Sequence, residues 1–186
     1  MRSAAVLLFA AFTGSAISAP SQVARNEGYV VPDLGDGVFT ASFGAHGLVN
    51  VTRISDIDRD AVHGVSARDG LASRALPISR FGCYRPSQNH NDWEIVRAQF
   101  KMMCDQGVQI PGHGIRYAVS GIQVAFGCSW GGNSPCSSGE YDEFLHFINS
   151  NCGGWYGGWV DMDSWKKQYG MEQRGDAVCG HSINWG

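Results

Sequence analysis

Residues 20–80 contain no cysteine and no tryptophan, and this gap divides the chain in two. All six cysteines (Cys83, Cys104, Cys128, Cys136, Cys152 and Cys179) and all six tryptophans lie beyond it. A surplus of positive charge is missing as well. The 14 Lys and Arg against 17 Asp and Glu leave a net charge of −3, which speaks against a phosphate-neutralising surface and hence against nucleic acid as a partner. Beyond the first nineteen residues no apolar run approaches the roughly 20 residues that span a bilayer, so no transmembrane anchor is expected. Zinc-type ligand spacing is absent too: successive cysteines are separated by 21, 24, 8, 16 and 27 residues, and no pair has the close spacing of a finger or ribbon. Neither a metal nor a cofactor is expected.

What is present begins with a secretory layout. Arg2 is followed by the apolar stretch Ala4 to Phe12, and Ala16-Ile17-Ser18 places small residues at the −3 and −1 positions of a cleavage site. Residues 1–18 are therefore expected to be a signal peptide and the product to be secreted and extracellular. Residues 19–74 then read as a cysteine-free propeptide. They hold short strand-like pieces, Tyr29 to Pro32, Gly35 to Phe43 and Leu48 to Thr52, followed by a charged stretch, Asp56 to Arg74, with the character of an exposed linker. At its end, Leu71-Ala72-Ser73-Arg74 resembles the Leu-x-x-Arg site at which kexin-type proteases mature fungal secreted proteins. Arg80 is a second monobasic candidate. Asn50-Val51-Thr52 is a glycosylation sequon on Asn50.

Residues 75–186 are the expected cysteine-rich mature body, of fold class α+β: a small disulfide-stapled antiparallel sheet with two main helices. Asn91 can cap the first helix with Glu94 as its reciprocal partner, and Trp93, Val96, Phe100 and Met103 recur along one face up to the stop at Gly107. Ser137 can cap the second with Glu140, and Tyr141, Phe144, Leu145 and Ile148 follow at helical spacing. Between the helices, Arg116 to Cys128 alternates for the most part, as a strand or strand pair with Gly121 at a bulge or turn. Trp159-Val160 and Ala177 to Cys179 read as short strands around a third helical turn at Ser164 to Tyr169.

Secretion makes disulfides the default state of all six cysteines, each bridge contributing roughly 2 to 4 kcal/mol. Cys136 and Cys152 flank the second helix, about 20 Å apart, far outside bridging range, so that pair is excluded and 12 of the 15 connectivities remain. The pairing favoured among these is Cys128 with Cys136, Cys83 with Cys179, and Cys104 with Cys152.

Catalytic groups are not organised into a motif. The body holds His90, His113, His146 and His181, with Glu94, Glu140 and Glu143 as possible bases and Arg97 or Arg116 as possible phosphate ligands. No catalytic residue is assigned; a ribonuclease-like hydrolase using His113 or His146 with a glutamate is the enzymatic alternative. Aromatic rings on glycine-rich backbone are the stronger signal. Trp155 and Tyr156, with Trp130 beside its own glycine pair, are binding candidates that could stack on a sugar or anchor an interface. A carbohydrate-binding module built on Trp155, Tyr156 and Trp159 is a further alternative.

The layout of signal peptide, cysteine-free leader, Leu-x-x-Arg site and cysteine-rich body resembles fungal small secreted effectors and cell-death-inducing proteins. Locally, Cys136-Ser137-Ser138-Gly139-Glu140, the helix carrying Leu145 and Asn149, and Cys152 are similar to a cysteine-flanked helix in the killer toxins of smut fungi. The resemblance implies a virulence effector or toxin that binds a host or competitor protein or cell-surface component, including polysaccharide. No site residue is carried over from it.

Overall fold

Alternation along Gly37–Phe43 turns Phe39, Ala41 and Phe43 to one side, all buried, and Val38 to the other, where it is buried while Ser42 is exposed. The computed structural model describes residues 28–44, 49–60, 75–87 and 89–180. In chain order the elements are β1 (Tyr29–Val30), β2 (Gly37–Phe43), β3 (Val49–Ser55), β4 (Arg80–Pro86), α1 (His90–Asp105), β5 (Gly114–Ser120), β6 (Gln123–Ser129), α2 (Ser138–Cys152), β7 (Tyr156–Met162), β8 (Lys167–Gln173) and β9 (Ala177–Val178). Seven strands form one antiparallel sheet in the order β3-β2-β5-β6-β8-β7-β4, and β1 pairs with β9 beside it. The fold is α+β, with both helices on one face of the sheet.

That face is made of small side chains where the helices press closest. Ala118 and Ala125 are fully buried beneath α1, and at Gly158 an added methyl would meet Ile148 of α2 at 2.8 Å. On the opposite face one row of residues crosses all seven strands in register: Arg53, Phe39, Tyr117, Phe126, Gly170, Trp159 and Gly82. Arg53 lies over the Phe39 ring, and Phe39 stacks on Tyr117 at 5.2 Å. Glycine is needed further along, because the Phe126 ring lies over Gly170 and the Trp159 indole over Gly82. Tyr29, Val178 and Cys179 close this second core over β2, β5 and β6.

The segment expected as a removable leader supplies two strands of the sheet. β2 is bonded on one side to β5 and on the other to β3, and Tyr29 and Phe39 are each only 1% exposed. Polar contacts cross the same division. Asp36 accepts from the Gly121 N–H, Arg174 pairs with Asp33 and Asp36, and the Gln99 side-chain amide donates to the Asp58 carbonyl. The start of the expected linker is thus docked, and residue 74 is not a boundary between two cores. Residues 1–18 and Arg74 lie outside the described residues. Arg80, the other basic candidate, opens the edge strand β4, with its guanidinium 3.2 Å from the fully buried Asp161 and 3.5 Å from Asp163. Asn50 is exposed on the edge strand β3.

Both helices form where their apolar spacing places them, but their caps differ from expectation. Asn89, not Asn91, caps α1, its side chain accepting from the Asp92 N–H, and Glu94 pairs with Arg97 instead. Ser137 does cap α2, accepting from the Glu140 N–H. The Glu140 carboxylate turns away from the cap to the buried Lys167 at 2.6 Å and the Tyr169 hydroxyl at 2.7 Å. The third helical turn shrinks to a 3-10 turn at Asp163–Trp165, because Lys167–Gln173 pairs on both sides as a central strand.

All six cysteines are bridged, as Cys83–Cys152, Cys104–Cys136 and Cys128–Cys179, and Cys136 is not joined to Cys152. The three pairs favoured from the sequence are corrected, for two physical reasons. Strand alternation puts Cys128 in the core away from the helices, where it meets Cys179 and not Cys136. The helices run antiparallel, so the end of α1 meets the start of α2; Cys104 thereby reaches Cys136, while Cys152 meets Cys83 on β4.

Two outcomes follow. Expressed without residues 1–74, the body exposes Tyr117 and Val119 along an unpaired β5 and does not fold to a monomer, and adding a peptide of residues 28–60 during refolding rescues it, as read by size exclusion and near-ultraviolet circular dichroism. Gly170→Ala places a methyl carbon 2.0 Å from Phe126 Cζ, and the overpacking costs about 1–3 kcal/mol in urea unfolding.

Candidate functional site

The antiparallel helices do not close against each other along their whole length. Between them lies a cleft of about 480 Å³, walled by Trp93, Glu94 and Arg97 of α1, by Asp142, Leu145, His146 and Asn149 of α2, and by Gly154 and Trp155 of the turn after α2. Helical periodicity selects these residues: Trp93 and Arg97 are four apart, and Asp142, Leu145, His146 and Asn149 fall at i, i+3, i+4 and i+7.

At the mouth, Trp155 is held with φ of 64°, the left-handed region that a bulky residue rarely occupies. Its carbonyl accepts from the Ser87 N–H at 2.7 Å. The indole stacks on His90 at 4.0 Å with planes 7° apart, and the Trp93 ring meets it edge-on at 6.2 Å. Trp155 is 37% exposed, but one of its faces is already covered by imidazole.

Charge lies farther along the cleft. Arg97 is 3.0 Å from Glu94 and 3.6 Å from Asp142, whose other oxygen is 2.5 Å from the Lys101 ammonium. Lys101 is 5% exposed, and the Asp142 carboxylate is the ion-pair partner that its burial requires. Arg97 Nε is buried and has no hydrogen-bond partner, while the side chain as a whole is about one-third exposed in the cleft wall. Glu94, Asp142 and Arg97 line the cleft, and the buried Lys101 behind Asp142 balances the second carboxylate. The cleft can accept and donate hydrogen bonds beside an aromatic rim, an arrangement suited to an amphipathic ligand.

The residues singled out in the sequence disperse. Of the ring candidates, Trp155 alone lines the cleft. Tyr156 is half-buried with its ring over Gly153, and Trp130 is half-buried in the glycine loop, its backbone N–H donating to the Lys166 carbonyl. Of the histidines, His146 stands exposed at the rim, His90 is engaged with Trp155, His113 sits at φ 48° in the turn before β5, and His181 lies outside the described residues. Glu94 is the one glutamate of the three in the cleft. Glu140 holds Lys167, while Glu143 accepts the Leu76 N–H on the far side of α2. Arg116 donates to the Gln109 carbonyl, and partial burial lowers its pKa. Sequence reasoning missed Asp142 and Asn149, and it placed Trp93 only in the core, where it lies 4% exposed while still forming one wall of the cleft. Their spacing was visible, but which helix faces oppose each other depends on the Cys104–Cys136 link.

A second ionisable group lies on the sheet face away from the helices. Glu172 of β8 is 2% exposed; burial, reinforced by Asp176, pushes its carboxyl up to about 8, against the opposing effects of the Gln173 N–H and of Arg85. The same burial raises the Tyr84 hydroxyl, with Glu172, Asp176 and Asp161 adding to it. Among the described residues no group of three or more His, Cys, Asp and Glu could hold a metal ion, and no helix is long and apolar enough to cross a membrane.

No family model, no curated protein and no solved structure matches this chain. The functional reading therefore rests on the geometry.

The Glu172 carboxyl binds its proton more tightly in the folded chain than in the unfolded one. Its contribution to stability is complete below pH 4.5 and is lost as the pH rises from about 4.5 to about 8. The urea midpoint is expected to fall between pH 5 and pH 8, and Glu172→Gln is expected to flatten that fall.

Proposed function

We propose that this chain is a secreted effector or toxin of the fungal type that acts by binding, with the cleft between α1 and α2 as its contact with a host or competitor target. The observation that carries this reading is the juxtaposition, in one cleft, of a strained and exposed Trp155 and the Trp93 wall with the partly exposed Arg97 guanidinium. Strain at a rim residue is retained where the surrounding structure holds it for use. A target fits if it offers a planar or apolar group to the indoles and a hydrogen-bond acceptor to Arg97, as a protein side chain or a sugar of a cell-surface polysaccharide does. Three disulfides support passage through an oxidising compartment and release outside the cell. In this reading the secreted proprotein is cut after Arg74 at its Leu-x-x-Arg site.

A hydrolytic reading has one observation in its favour: Glu94, Arg97 and His146 line the same cleft. The carbohydrate-module reading on Trp155, Tyr156 and Trp159 lacks a shared surface, since Trp159 packs over Gly82 on the other face of the sheet. Leaf infiltration and competitor growth inhibition with the secreted protein separate the first two. Trp155→Ala is expected to lower the active titre about ten- to a hundredfold, as loss of an anchoring aromatic does, and His146→Ala, which removes a smaller rim contact, to lower it less. RNA degradation abolished by His146→Ala, with no tissue response, would establish the hydrolase instead.

A further inference from the structure

The groove on the far side of α2 contains a carboxylate oxygen without a partner. Glu143 Oε1 accepts the Leu76 N–H at 2.9 Å, while Glu143 Oε2 is buried and makes no hydrogen bond. A buried carboxylate oxygen left unpaired is costly, and a native chain ordinarily supplies it with a donor or a cation. Leu76 itself is anchored, 8% exposed in the core beneath the helices, with its carbonyl accepting from the Ile78 N–H. Ala75, just before it, is exposed. The Ala75 nitrogen is three bonds from the Leu76 nitrogen, a reach of at most about 3.7 Å, so rotation about the Ala75 backbone can carry it to the second oxygen of the same carboxylate.

We propose that Glu143 is the receptor for a new chain terminus: cleavage after Arg74 frees the Ala75 α-ammonium, which pairs with Glu143 Oε2 and locks the start of the body onto α2. The inference rests on the Arg74 cut proposed above. In that cut, water adds across the Arg74–Ala75 amide and the C–N bond breaks. The hydroxyl passes to the Arg74 carbonyl carbon, giving a carboxylate, and protons pass to the Ala75 nitrogen, giving the ammonium. Before the cut this nitrogen is an uncharged amide; afterwards it is a cation tethered one residue from an anchored leucine, so the pair forms at small entropic cost. The ionisable side chains of the groove are Glu143 and His146, both on α2, and the remaining walls from Leu76, Ile78, Phe147, Ser150 and Asn151 carry no charge. His146 also lines the cleft between the helices, so the arriving charge is placed one helical turn from the proposed binding surface.

The test uses the full chain with Leu71→Ile, Ala72→Glu and Ser73→Gly, which makes a factor Xa site ending at Arg74 and leaves Ala75 as the new terminus. After cutting, confirmed by terminal sequencing, the pH dependence of acylation of the Ala75 amine is read by mass spectrometry. A free α-amine titrates near 7.7–8.0. The Ala75 amine is expected to titrate at least one pH unit higher than in a free peptide of residues 75–86, and to return to the peptide value in Glu143→Gln, whose amide oxygen still accepts from Leu76. Equal titration in the cut protein and the peptide overturns the proposal, and that comparison stands even where Glu143→Gln fails to fold. An elevation that persists in a folded Glu143→Gln variant also overturns it. Sequencing the product from secreting cells judges the Arg74 cut separately: a different terminus there rejects maturation at Arg74, while the engineered cut still decides the ion pair.

Discussion

The register of β2 on β5 governs the second core and, through it, the whole sheet. Phe39 opposite Tyr117 sets the aromatic row that continues through Phe126 onto Gly170 and Trp159 onto Gly82. A shift of one residue would turn Phe39, Ala41 and Phe43 toward the helices and Val38 away from them, exchanging the contents of both cores. The large rings on one face are compensated by glycines in the same row. On the other face Ala118, Ala125 and Gly158 give the helices room to approach. One strand pairing thus fixes where bulk sits on both sides of the sheet.

The helices inherit their position from that sheet and their mutual orientation from Cys104–Cys136. Once the end of α1 is tied to the start of α2, Lys101 and Arg97 fall opposite Asp142, and Trp93 lies across the cleft from Asn149. The charges are satisfied at the tied end, where the helices are close. The aromatic residues remain at the other end, where the turn after α2 brings Trp155 back over His90. A cleft that is charged toward one end and aromatic toward the other is a consequence of joining the helices at one end only.

Much of this was legible in residue periodicity. The apolar spacing of Trp93 to Met103 and of Tyr141 to Ile148 marked both helices, and the alternation around Gly121 marked β5 and β6. The strand pieces in residues 29–52 were recognised as strands, yet the absence of cysteine and tryptophan there suggested separateness. Composition cannot report that Phe39 is buried on Tyr117, because that contact is set by pairing across 78 positions of sequence. The disulfide partners were illegible for the same reason. Cys128 could be assigned only after knowing which face of β6 it occupies, and Cys104 only after knowing that the helices run antiparallel. At the site, the individual residue types were visible, but their convergence depended on those same two long-range facts.

The central claim is that the N-terminal strands and the cysteine-rich body form one cooperative unit. Native-state hydrogen exchange tests it most directly, by comparing β2 amides bonded to β5 with amides of β6 at the centre of the sheet. The account predicts that both sets exchange through the same global unfolding, with equal free energies of opening and equal dependence on denaturant. Exchange of the β2 amides through a separate, lower-energy opening, while β6 remains protected, would contradict it.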